Sequence, residues 1–235
     1  MQYKVSIVGA NGIVGEGVLL KCLESRSIGE VLLVSCWRNA IRHHKLKELI
    51  IPDFLELDGY EQELSGYDAC FYCSESPLAN VDERICSYFM IDMPLCLASL
   101  LLMLNPNMVF SYLSKWNSDT TELGNQMMAR VTGKAENALA KMIFRKLYFF
   151  RVGIVIPLAE QRNKKLKDKI IYSCYPLLKF LMPNRVNTAH ELGRAMINSL
   201  ITKYPEQVVS VKDIRALSTY QQGNVQVHSP LMYMA

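Results

Sequence analysis

The sequence predicts an α/β fold, a doubly wound parallel sheet with helices on both faces and a small C-terminal helical lid. Three observations lead there. Short apolar runs, many of them β-branched, alternate with stretches of helical spacing as far as Ile156. These runs are apolar almost throughout instead of alternating, as expected of parallel strands covered on both sides. The first run ends in a glycine-rich turn that opens directly into a helix.

The elements follow in order. "KVSIVGA" is the first strand, and "GEGVLLKCLES" after it places Val18, Leu19, Cys22 and Leu23 at helical spacing. "EVLLVSC", "LKELIIPDF" and "YDACFYC" are the second, third and fourth strands. An apolar helix ending at Leu104 comes next, then "MVFSYLS" as the fifth strand, a helix over residues 125–143, and "KLYFFRVGIVI" as a single sixth strand. Beyond Pro157 the pattern turns basic and apolar, "RNKKLKDKIIYSCYPLLKFLMPNR", before a last clear helix, "AHELGRAMINSLI". Residues 158–187 are expected either as a substrate lid over the carboxyl ends of the strands or as a surface helix. Such a helix would pack on the sheet with its basic side solvated, or lie on a membrane.

Composition narrows the class. A length of 235 residues suits one domain over positions 1–235, and 50% apolar with 20% charged residues is ordinary for a globular chain. The net charge of +4 is not gathered into a basic stripe, which argues against a nucleic-acid partner. A strand begins within a few residues of Met1, so no signal peptide is expected and the cytoplasm is the expected location. The longest apolar run, "MPLCLASLLLML", has 12 residues and is too short to span a bilayer, so no transmembrane segment is expected. It suits a buried helix or, equally, a helix-to-helix contact in a homodimer or with a protein partner. Seven scattered cysteines fit a reducing compartment. Cys70 and Cys73 form a CxxC, but in a strand positions three apart face opposite ways, so both read as core rather than as a metal or redox pair.

In "GANGIVG", Gly9, Gly12 and Gly15 recur every three residues between the first strand and its helix. Gly9 permits the sharp turn, Gly12 lets backbone N–H groups approach a pyrophosphate, and Gly15 lets the helix pack closely on the strand. The helix N-terminus adds partial positive charge. Gly9, Asn11, Gly12, Ile13, Val14 and Gly15 are thus the candidate cofactor contacts, the alternative being glycines that serve a tight turn alone. After the second strand, "VSCWRN" has no acidic residue to hold ribose hydroxyls and carries Arg38, which favours NADP over NAD. Trp37 beside it stacks or packs.

With that turn, "PDF" after the third strand, Ser114 ending the fifth and Lys134 in the following helix, the chain resembles an atypical short-chain dehydrogenase/reductase. It is most similar to the group that holds Tat-interacting-protein-like and nucleoside-diphosphate-sugar-epimerase-like members, through "GIVGEGVLLKCLE", "GKAENAL", "FRVGIVIP" and "ELGRAMI". The resemblance implies a Rossmann domain, NAD(P) as cofactor, and Asp53 and Phe54 among its contacts. It also implies Ser114 as the group that polarises the reacting oxygen, and Lys134 as the lysine that lowers a tyrosine's pKa and holds the nicotinamide ribose. The tyrosine belongs four residues before the lysine, where this chain has Arg130. Arginine stays protonated and cannot relay a proton. Arg130 and Lys134 lie one helical turn apart and repel unless an anion sits between them, so Arg130 is a candidate for binding a substrate anion. Tyr112, Asp119 and Glu122 are the nearest replacements for the missing acid. In the family a glycine commonly follows the fourth strand, whereas "FYCSESP" sets Glu75 there, an unfavourable charge beside a pyrophosphate.

Two readings follow: an NAD(P)-dependent oxidoreductase or epimerase-like enzyme on an unknown small hydroxy or keto compound, or an inactive nucleotide-binding sensor or scaffold. A chain that binds no nucleotide is the remaining alternative.

Overall fold

The computed structural model describes residues 2–74, 82–159, 161, 175, 181–202 and 204–220. Most of the expected lid, residues 162–174 and 176–180, and Glu75 lie outside the described residues.

β1 (Tyr3–Val8) runs into the glycine turn and α1 (Ile13–Glu24), followed by β2 (Ile28–Ser35) and β3 (Leu46–Ile50). After the short α2 (Glu61–Leu64) and β4 (Ala69–Tyr72) come α3 (Glu83–Ser87), a π-helical turn (Tyr88–Asp92) and α4 (Met93–Leu104). β5 (Val109–Lys115), α5 (Met127–Leu139) and β6 (Lys146–Val152) complete the predicted series. The strands form one parallel sheet in the order β3-β2-β1-β4-β5-β6-β9, where β9 is Val208–Val209. The order reverses between β1 and β4, the place where open α/β sheets bind ligands at the strands' carboxyl ends.

Two cores result, one on each face. Val5, Ile7, Val31 and Leu33 pack with α1 on one side, and Leu32, Val34, Tyr72 and Tyr112 pack with α4 and α5 on the other. Cys73 belongs to the first core and Cys70 to the second, so the CxxC thiols do lie on opposite faces of the sheet.

Several elements differ from expectation. The predicted sixth strand stops at Val152; the chain turns at Gly153 and continues as β7 (Ile154–Ile156), which pairs in a separate parallel ribbon with β8 (Val186–Thr188). The cause is a close crossing, because a Cβ on Gly153 would collide with the Arg185 carbonyl. β9 was not predicted, since two residues carry no readable period, and neither was α7 (Val211–Ser218). The last predicted helix, α6 (Ala189–Ile201), begins at a capping box of Thr188 and Glu191.

The apolar helix is also longer than its 12-residue run suggested. α3, the π turn and α4 form one helix of 22 residues, Glu83–Leu104, which by length and composition alone could cross a membrane. Met90, Met93, Leu97, Ala98 and Leu101 are nonetheless buried against the sheet, as in a core helix. Continuity is not obvious from sequence because Pro94 lacks the N–H that would bond Met90's carbonyl. The π turn directly before it accommodates that break in the ladder.

Candidate functional site

A cleft of about 550 Å³ opens where the strand order reverses. Its floor is the turn, with Gly9, Asn11, Gly12, Ile13 and Val14. The ends of β1 and β2 with Trp37, together with Phe54 and Met93, form one end. The carboxyl end of β5 with Ser114 and Lys115, and the Val152–Gly153–Val155 corner, form the other.

The turn is built for close approach. Gly9 has φ +83°, left-handed backbone that L side chains rarely adopt, and a Cβ there would lie 2.5 Å from Ser74 Cα. A Cβ on Gly15 would fall on the Gly9 carbonyl oxygen, so α1 starts directly against the turn. Gln161 braces the same point, its side-chain amide donating to the Ile13 carbonyl at 2.5 Å. At both glycines the excluded Cβ would meet the chain's own backbone, so only glycine lets the end of β1, the turn and the start of α1 pack this closely.

The remaining predicted residues divide. Phe54 and Ser114 line the cleft. Gly15 sits behind the turn, and Arg38 is exposed next to Trp37, which is 72% exposed. Asp53 accepts hydrogen bonds from the Leu55 amide (2.9 Å) and the Tyr88 hydroxyl (3.1 Å). Arg130 and Lys134 are not in the cleft wall. Both reach Glu83 on α3, Arg130 Nη2 at 2.7 Å and Lys134 Nζ at 3.8 Å. The anion that two cations one turn apart require is therefore the chain's own. The Arg130 guanidinium holds the Glu83 carboxyl below its usual range.

Ser114 is the end of a buried network that the sequence did not reveal. Its hydroxyl donates to Glu136 Oε1 at 2.5 Å, and Glu136, 2% exposed, forms a two-point ion pair with Arg151 at 3.0 and 2.5 Å. Ser118 contacts Ser114 at 2.6 Å, and Thr132 lies 2.9 Å from Ser118. With one hydrogen per hydroxyl, Thr132 gives its own to the Met128 carbonyl, Ser118 donates to Thr132 Oγ1, and Ser114 donates to the Glu136 carboxylate. Ser114 thus presents lone pairs, not a hydrogen, to the cleft. The signals for this were Glu136, two residues after Lys134, and Arg151 in "FRVG", whose pairing needs α5 and β6 to be placed together.

None of the nearby acids lines the cleft. Tyr112 is fully buried and its phenol is pushed far above its usual range by burial. Its hydroxyl donates at 2.8 Å to the Met90 carbonyl, the acceptor that Pro94 leaves without a helical partner. Tyr112→Phe is therefore expected to cost about 1–3 kcal/mol in urea unfolding, the penalty of an orphaned buried carbonyl, while leaving ligand binding unchanged. Asp119 accepts from the Thr121 hydroxyl at 2.6 Å, which holds its carboxyl below the usual range, and Glu122 accepts from Asn137 at 2.8 Å.

No protein-family model and no curated protein sequence matches this chain. Solved structures do. A UDP-glucuronic acid 4-epimerase from Bacillus cereus in complex with NAD superposes with a TM-score of 0.62 at 12% identity, covering 89% of this chain and 80% of the epimerase. The enzyme WbmG of Bordetella bronchiseptica, in complex with NAD and UDP, gives 0.66 at 10% identity, over 93% and 77% of the two chains. A short chain dehydrogenase family protein from Francisella tularensis gives 0.59 at 11% identity, over 86% and 92%. At such identities the likeness is one of architecture, and with the seven-stranded parallel sheet it identifies this chain's structure as a Rossmann α/β fold.

Proposed function

We propose that this chain binds a nicotinamide dinucleotide in the cleft and acts as an oxidoreductase or epimerase-like enzyme of the atypical short-chain dehydrogenase/reductase kind on a small hydroxy or keto compound. One observation carries the reading: the Gly9–Gly15 turn, shaped so that no Cβ fits at either end, opens into a cleft at the strand-order reversal. In this reading Gly9, Asn11, Gly12, Ile13, Val14 and Phe54 hold the nucleotide, and Gly15 keeps α1 against the turn. Arg38, the basic residue after β2, favours the 2′-phosphate of NADP. When bound, the nicotinamide takes or gives a hydride. Ser114, its hydrogen given to Glu136, accepts a hydrogen bond from a hydroxyl of the bound compound and orients it.

NADPH and NADH titrations, followed by nucleotide fluorescence and melting temperature, test this directly. Saturable binding is expected for NADPH, raising the melting temperature by mass action, and Gly12→Asp is expected to abolish it. Absence of binding by either nucleotide ends the reading.

A second reading, a nucleotide-dependent sensor or scaffold without turnover, is favoured by Arg130 at the usual tyrosine position and by its bond to Glu83. Arg130→Tyr separates the two. Turnover of hydroxy or keto compounds that appears only in the variant favours the scaffold, whereas turnover already present in the parent favours the enzyme.

A further inference from the structure

Lys115 alone carries a charge among the described residues that line the cleft. It follows Ser114 directly at the carboxyl end of β5, and no carboxylate among the described residues pairs with it. The two cations that sequence singles out point away from the cleft, since Arg130 and Lys134 both share the Glu83 carboxylate on α3. Its neighbour Ser114 has given its hydrogen to Glu136 and cannot serve as the donor to a ligand oxygen at this end of the cleft. A second positive charge lies next door. The Arg185 guanidinium stacks 4.1 Å from the ring centroid of Trp116, the residue after Lys115, and the Arg185 backbone carbonyl packs against Gly153 of the cleft wall. Among the described residues the charge of the wall is of one sign, and a concave site with apolar walls focuses such a charge on its ligand.

We propose that Lys115 is the anion-binding residue of this cleft, holding a carboxylate or phosphate group of the ligand beside the Ser114 hydroxyl. The inference deepens the nucleotide-site reading and rests on it for the place of the ligand, but not for the role of the lysine. The anion belongs either to the cofactor's pyrophosphate or to a second, acidic compound bound next to it, and the two sources separate experimentally.

Lys115→Gln, Lys115→Arg and, as a surface control, Lys141→Gln are compared with the parent. NADH affinity is read by fluorescence and melting temperature at constant ionic strength, with sodium oxalate, sodium pyrophosphate or neither. Loss of one charge-assisted hydrogen bond corresponds to about tenfold weaker binding or more. Lys115→Gln is expected to show that loss, Lys115→Arg to retain most of the affinity, and Lys141→Gln to behave as the parent. If Lys115→Gln weakens NADH itself, the anion is the cofactor's. If NADH is unaffected and only the response to oxalate or pyrophosphate disappears, the anion belongs to the second compound. Equal responses of Lys115→Gln and the parent to all three probes overturn the inference, as does a parent that responds to none of them. A parent that responds to pyrophosphate through Lys115 but not to NADH overturns the nucleotide reading while leaving the lysine's role intact.

Discussion

Glu136→Ala is expected to lower the stability of the protein by about 3 kcal/mol, the low end of the range for removing one partner of a buried ion pair. The low end applies because the Arg151 side chain keeps 23% of its exposure, so water partly compensates the stranded guanidinium. In a chain of this size that corresponds to a fall of about 6–12 °C in melting temperature. The variant also frees the Ser114 hydrogen, since its acceptor is gone. A double variant, Glu136→Met with Arg151→Met, distinguishes the pair's own worth from the cost of leaving one charge behind. It is expected to recover most of the lost stability, because two apolar side chains of similar size leave no charge buried and unpaired, and the Ser114 hydroxyl keeps Ser118 as a partner. Urea unfolding of the parent, the single and the double variant measures both. A single variant as stable as the parent would mean that Glu136 and Arg151 are not held together in solution.

The second large effect is expected at the turn. Gly15→Val places a branched side chain on the Gly9 carbonyl oxygen, a backbone atom that cannot swing aside, so the start of α1 must move away from the turn. If the turn holds a phosphate as proposed, losing about two backbone hydrogen bonds to it in that shift corresponds to about a hundredfold weaker nucleotide binding or more. Overpacking adds about 1–3 kcal/mol of destabilisation. Isothermal titration with NADPH, beside a melting curve, separates the two effects. Nucleotide affinity retained in Gly15→Val would remove the turn from the binding site, whatever happens to stability.

Much of the architecture was legible in the sequence for a local reason. Strand runs such as "KVSIVGA" and "MVFSYLS", and the helical spacing of "AHELGRAMINSLI", repeat within windows of a dozen residues, and the glycine turn lies wholly between β1 and α1. Where short-range pattern failed, a long-range contact was responsible. The sixth run is apolar throughout, yet it breaks at Gly153 because the Arg185 backbone crosses there. The Met93–Leu104 run reads as an isolated helix bounded by Pro94, yet the π turn joins it to α3.

The candidate site divides in the same way. Sequence by itself determined the doubly wound sheet, the turn at its centre, and Ser114 at the end of β5, since each depends on residues adjacent in the chain. Tertiary structure alone decided which charges remain available. Glu83 and Arg130 are 47 positions apart and Ser114 and Glu136 are 22, so no periodicity announces that the first pair fills the expected anion site or that the second commits the serine's hydrogen. Ion pairing and hydrogen-bond direction depend on which helix faces which strand end, and that placement is what leaves Lys115 as the charged residue among the described residues of the cleft wall.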